Sequence, residues 1–199
     1  MNILAIGAHG DDLEEFCGGT LALYAQAGHH VVMGVATDGR GNPAGDPVQI
    51  ATIRQQEAQA SANVIGAELA WMALPDGGLL VNEQMRHPFI EVIRAAAPDV
   101  IITHPAEDYH PDHVATHQLV LAAAQIARTA NYPSVYPPVR KPTVVAFMDA
   151  ELGISKWAIA ALVAAMIVVG AMGLVLRASG GQGSTADRTP PANAPAQSH

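Results

Sequence analysis

At 199 residues the chain has room for one domain of moderate size, and its formal net charge of -8 without a basic stripe disfavours a nucleic-acid phosphate surface. A single cysteine, Cys17, excludes disulfides within the chain and a cysteine-rich zinc cage, so any metal must use histidine and carboxylate. Hydrophobic residues make up 50% and charged residues 14%, for a mean hydropathy of +0.19, and the apolar excess lies near the C-terminus.

The apolar run Asn2-Ile3-Leu4-Ala5-Ile6-Gly7 predicts a short buried strand, and Ala8-His9-Gly10-Asp11-Asp12-Leu13-Glu14 follows it on a strand-to-helix turn. Open α/β sheets place their chemistry at such turns. One imidazole and two adjacent carboxylates are costly to leave unpaired there, and a cation relieves the repulsion, so this turn reads as half of a metal site. Leu13 to Ala27 predicts a helix stopped at Gly28. Within it Gly18-Gly19 would cost about 1 kcal/mol each relative to alanine, and close packing against the sheet is the expected compensation.

Val31 to Thr37 predicts the second strand, closed by the turn Thr37-Asp38-Gly39-Arg40-Gly41, with a loop from Gly41 to Pro47. A helix over Ile50 to Ile65 and a strand over Glu68 to Leu74 come next, the latter closed by Pro75-Asp76-Gly77-Gly78. Asn82 caps a helix that runs to Ala97 and stops at Pro98. Asp99 to Thr103 predicts the fourth strand, leading into His104-Pro105-Ala106-Glu107-Asp108-Tyr109-His110-Pro111-Asp112-His113. The fourth helix runs from about Asp112 to Ala130, and a proline-rich connection, Tyr132 to Pro142, leads to a fifth strand, Thr143 to Met148.

Strands alternating with helices predict an α/β fold, a Rossmann-like parallel sheet flanked by helices. Right-handed crossovers put the carboxyl ends of all strands on one edge, which the turns after strands one, two and four share. From Trp157 to Leu176 the chain carries no charge and is bracketed by Lys156 and Arg177, which predicts one C-terminal transmembrane helix across the roughly 30 Å hydrocarbon core. The expected organisation is a domain over 1–150, a linker over 151–156, the transmembrane helix over 157–176 and a disordered Gly, Ser, Pro and Ala tail over 177–199. With no basic n-region and apolar h-region at the start, the expectation is a single-pass membrane protein with its catalytic domain in the cytosol.

His110-Pro111-Asp112-His113 is the second half of the expected site. If strands one and four are neighbours where the strand order reverses, His9, Asp12 and His113 converge there. Two imidazoles and a carboxylate suit zinc and leave a fourth position for water. Asp11 beside it would be the general base, and His110 would stabilise the oxyanion or protonate a leaving amine. Asp112 would orient His110 or His113. His117, one helical turn after His113, is a rival ligand, and His104 a pocket-lining residue. Asp38 and Asp76 read as turn formers, and Cys17 as packed.

In order, AHGDDLE, Gly18-Gly19, TDGRG, Arg54-x-x-Glu57 and HPDH resemble the PIG-L/LmbE-like family of zinc-dependent deacetylases, from Asn2 to about Asp149. The resemblance implies removal of acetyl from N-acetylglucosaminyl groups of small sugar conjugates, with Zn2+ held by His9, Asp12 and His113. It further implies Asp11 as base, His110 with Asp112 assisting, and Arg54 binding substrate. Gly10 stands where that family usually has proline, and the membrane run replaces the sheet and helix with which the family normally continues. The alternative reading is therefore a truncated, membrane-tethered domain that binds or has no catalytic role. A nucleotide-binding domain is disfavoured: G-x-G-x-x-G is missing after strand one, and Asp11-Asp12 would repel a pyrophosphate.

Overall fold

The computed structural model describes residues 1–41 and 45–148. Nine elements alternate through them: β1 (Asn2–Gly7), α1 (Asp12–Gln26), β2 (His30–Thr37), α2 (Pro47–Ile65), β3 (Glu68–Leu74), α3 (Glu83–Ala96), β4 (Val100–Thr103), α4 (Pro111–Ile126) and β5 (Val144–Phe147). The expected linker over 151–156, membrane helix over 157–176 and tail over 177–199 lie outside the described residues. Among those described, no helix is long and apolar enough to cross a membrane.

The strands form one parallel sheet in the order β3-β2-β1-β4-β5, with Leu4 of β1 paired to Val32 of β2 on one side and Ile101 of β4 on the other. Ile3 to Ile6 are fully buried, as a strand covered on both faces requires. Leu4, Ile6 and Ile101 pack against Phe89, Ile90 and Ile93 of α3 and Leu119 and Val120 of α4. On the opposite face Ile3, Ala5, Met33 and Ile102 meet Leu13, Cys17 and Leu21 of α1 and Ala62 of α2. Chain order reverses between β1 and β4, so the carboxyl ends of these two strands open a crevice at the switch point.

Three details depart from the sequence reading. First, α2 begins at Pro47, because the Asp46 side chain accepts from the Val48 N–H at 3.3 Å and proline is pre-set for a first turn. Second, α4 ends at Ile126, and the reason is Arg94 on α3. Its side chain is buried, and it donates to four main-chain carbonyls: Ala127 from Nε (3.1 Å), Thr129 from Nη2 (2.6 Å), and Tyr132 (3.3 Å) and Tyr136 (3.1 Å) from Nη1. The guanidinium thus bends the chain out of the helix and fastens the proline-rich connection to α3. Third, Gly18-Gly19 do not pack on the sheet. A Cβ at Gly18 would meet the Leu13 carbonyl of its own helix at 3.4 Å and Ile65 of α2 at 3.9 Å, and one at Gly19 would meet nothing within 4 Å, since this pair lies on the side of α1 turned away from Cys17 and Leu21 and the sheet.

Candidate metal centre

The glycine that ends β1 leaves room for the helix start: a Cβ on Gly7 would stand 3.0 Å from the Asp12 Cβ and would push the first turn of α1 away from the strand end. The turn is held from both sides. Thr37 at the end of β2 donates its hydroxyl to the Ala8 carbonyl (2.8 Å), and Thr103 at the end of β4 donates to that of Ile6 (2.9 Å). Asp12 is consequently buried, and its carboxylate accepts the His9 N–H at 2.8 Å.

Three imidazoles surround that carboxylate. His104 Nε2 lies 3.0 Å and His9 Nδ1 3.6 Å from Oδ2, and His113 Nε2 lies 3.2 Å from Oδ1. Burial works to raise the Asp12 pKa, but the hydrogen bonds with His104, His113 and His9 hold it well below the usual carboxylate range. His104 directly follows β4, is fully buried and stacks on His113 at 3.9 Å between ring centroids. Burial pushes its pKa below the ordinary value despite Asp12.

His110 is the N-cap of α4, with its Nδ1 accepting the Asp112 N–H at 3.2 Å. Its ring stands 4.7 Å from that of His9 and 4.8 Å from that of His113, while the His9 and His113 rings are 5.3 Å apart. His9 Nε2 points toward two more carboxylates, Asp76 Oδ1 at 3.3 Å and Asp112 Oδ2 at 3.4 Å. Burial alone would lower the His9 pKa; the Asp12 hydrogen bond and the charges of Asp12, Asp76 and Asp112 outweigh it and raise the value to about 9. The site is short of positive charge.

His9, Asp12 and His113 thus come together at the switch point, with His110 against both histidines. Among the described residues, atoms able to ligate a metal gather within 4.8 Å in three overlapping groups: His9, His110 and His113; Asp12, His104 and His113; His9, Asp76 and Asp112. The expected trio straddles the first two, because His9 Nε2 turns toward Asp76 and Asp112. On the far nitrogen of His113, Nδ1, sits Asp108 at 3.0 Å. With His113 Nδ1–H donating to Asp108, the Nε2 lone pair would face an anionic Asp12 oxygen at 3.2 Å, which is repulsive unless a proton or a metal ion lies between them. The donor set therefore fits zinc.

Other expected residues land differently. The Asp112 carboxylate, expected to orient His110 or His113, instead accepts the Gly77 N–H (2.7 Å) and the Leu79 N–H (3.2 Å) and reaches His9, because α4 enters beside the loop after β3. His117 Nδ1 pairs with the His104 carbonyl at 2.8 Å and its ring packs on Phe147, away from the donor groups. Asp76 is more than a turn former, since it accepts the Gly41 N–H at 2.8 Å and faces His9. Asp38 pairs with Arg40. Asp108 escaped the sequence reading; its signal is an Asp two residues ahead of the histidine that caps α4.

Above the donors opens a cleft of about 550 Å³ whose walls include Asp11, Phe16, Arg54, Asp76 and Tyr109. Asp11 is exposed at the N-terminus of α1 and makes no capping hydrogen bond. Arg54 pairs with Glu57 one turn along α2 at 2.5 Å. Its stem lies where a Cβ of Gly39 would be, 2.8 Å from the Arg54 Cγ, and Gly39 has a φ of +66°.

The chain has relatives in sequence and in fold. The profile of the PIG-L family, described as GlcNAc-PI de-N-acetylase, matches residues 4–124. A 4-oxalmesaconate hydratase from Pseudomonas putida is 28% identical over 77% of this chain and 63% of its own length. A 1D-myo-inositol 2-acetamido-2-deoxy-alpha-D-glucopyranoside deacetylase from Rhodococcus erythropolis is 29% identical over 70% of this chain and 58% of its own. The chain thus spans about six tenths of these relatives. The N,N'-diacetylchitobiose deacetylase of Pyrococcus horikoshii shares the fold, with a TM-score of 0.68 at 22% identity over 75% of this chain and 60% of that one. Because the family match runs unbroken from β1 through most of α4, taking in both turns that meet at the switch point, the chain belongs to the PIG-L family.

Proposed function

We propose that the 1–150 domain is a zinc-dependent hydrolase that removes the acetyl group from an N-acetylglucosamine-type sugar conjugate. The observation that carries this reading is the buried Asp12 carboxylate with His9 and His113 at the switch point, beneath a cleft that has Asp11 on its wall. His9, Asp12 and His113 would hold the ion, which when bound supplies a Lewis acid for the amide carbonyl and lowers the pKa of a water. Asp11 takes the proton from the attacking water. His110 delivers a proton to the nitrogen as the C–N bond breaks, so that acetate and a free amine leave. Arg54, its stem seated against Gly39, binds the sugar, and the Rhodococcus deacetylase, whose substrate carries a 2-acetamido sugar, supports that substrate class.

The test is acetate release from a small N-acetylglucosaminide. Asp11→Asn should lower turnover by about 100-fold or more while zinc content and melting temperature stay as in the parent. Full activity in that variant would overturn the base assignment, and acetate no higher than in a chelated control would favour the binding-only alternative. The Pseudomonas hydratase supports a second reading, in which the same groups add water across a carbon–carbon double bond. A hydratase would bleach a conjugated unsaturated acid and release no acetate. The apolar run 157–176 supports anchoring of the domain to a membrane. Recovery of the full chain in the supernatant after membranes are pelleted would refute that anchoring.

A further inference from the structure

We infer that Asp108 is a positioning residue for His113, selecting the imidazole tautomer that leaves Nε2 bare toward the metal position. This rests on the zinc reading above. The Asp108 side chain is 1% exposed and sits in the loop between β4 and α4. Its two oxygens have separate tasks: Oδ1 accepts the His110 N–H at 2.9 Å, which fixes the carboxylate, and Oδ2 lies 3.0 Å from His113 Nδ1.

A neutral imidazole carries one proton, and two carboxylates compete for it at His113. Asp108 faces Nδ1, while Asp12 faces Nε2 at 3.2 Å. If the proton sat on Nε2, the ring would offer Asp12 a hydrogen bond and would have no lone pair there for a cation. With the proton on Nδ1, Asp108 accepts it and Nε2 becomes a ligand. The ring cannot easily turn to escape this choice, because His104 lies flat against it with an interplanar angle of 13° and Tyr109 meets it edge-on at 5.8 Å. Asp112, the acidic residue inside HPDH, is not available for the task, since Gly77 and Leu79 occupy its carboxylate.

Asp108→Asn tests the inference. Asparagine keeps an oxygen for the His110 N–H but turns an NH2 group toward His113 Nδ1, which favours the opposite tautomer. Competition with a chromophoric chelator should show zinc bound about 10- to 100-fold more weakly than in the parent, with Asp108→Glu recovering part of the loss. The metal-free variant should still unfold in one cooperative transition with the far-UV spectrum of the parent, which separates tautomer choice from loss of fold. Ring ¹⁵N spectra of metal-free protein, at a pH where His113 is neutral, should show its proton moving from Nδ1 in the parent to Nε2 in the variant. Zinc binding within about twofold of the parent, or unchanged ring spectra, would overturn the role of Asp108. If the parent itself takes up no zinc, the zinc reading fails, and the ring spectra still decide what Asp108 does.

Discussion

Removing the His9 imidazole from the metal-free protein is the sharpest probe of the charge deficit at the switch point. Its folded pKa is raised to about 9 from an ordinary 6.5. A raised pKa contributes stability that is fully present below the ordinary value and is lost as pH rises through the folded one. The difference is about 2.5 units at about 1.36 kcal/mol each, or about 3 kcal/mol lost between about pH 5.5 and about pH 9. The side chain is only 18% exposed, so solvent screening takes little from that figure. Urea unfolding of parent and His9→Gln in chelator, at both pH values, isolates the term by difference. His104, whose pKa burial lowers, acts in the opposite direction in both proteins, and the buried Cys17 thiol, pushed up to about 12, contributes only at higher pH. The parent should lose about 3 kcal/mol more than the variant, or about 6 to 12 °C in melting temperature. Equal pH dependence in the two proteins would refute the electrostatic account of the site. Zinc should reverse the slope, because it binds only the unprotonated ring.

Other outcomes follow from the same geometry. His113→Ala should reduce bound zinc from about one equivalent per chain to a small fraction, read by elemental analysis after gel filtration. Arg94→Met should cost about 3 kcal/mol in urea unfolding, since charged hydrogen bonds to four carbonyls are lost and the cost of burying the ion is recovered; Ala127 O keeps the Val139 N–H. Gly39→Ala should raise KM with kcat nearly unchanged, because the methyl group would displace the Arg54 stem from a backbone that alanine also resists at φ +66°.

The fold was legible because its signals are local. An apolar run closed by a turn cluster marks each strand, and Asn82 caps α3 by accepting the Met85 N–H at 2.9 Å, as its position suggested. Alternating elements with right-handed crossovers put the turns after β1 and β4 on one edge, but that β1 and β4 are neighbours, the condition for His9 and Asp12 to meet His113, is seen only in the strand order. What stayed hidden is long-range and directional. Nothing in the periodicity of α3 says that Arg94 will be buried under carbonyls 33 to 42 positions away. Nor does HPDH say which carboxylate faces which imidazole nitrogen. That depends on Asp112 being drawn to the Gly77 and Leu79 amides, which leaves His113 to Asp108.

The pairing of β1 with β4 also dictates when the site can exist. Asp12 and His104 touch across 92 positions of chain, and no nearer stretch supplies both halves. Ordering so long a loop is entropically expensive until β2, β3 and the intervening helices have condensed, so the donors meet late in folding. A metal ion held by both halves of the site therefore reports that β4 has joined β1, and its uptake during refolding serves as a clock for closure of the central sheet. A refolding trace should show helical signal first and metal capture in a later phase, the two separated by the time β4 takes to find β1.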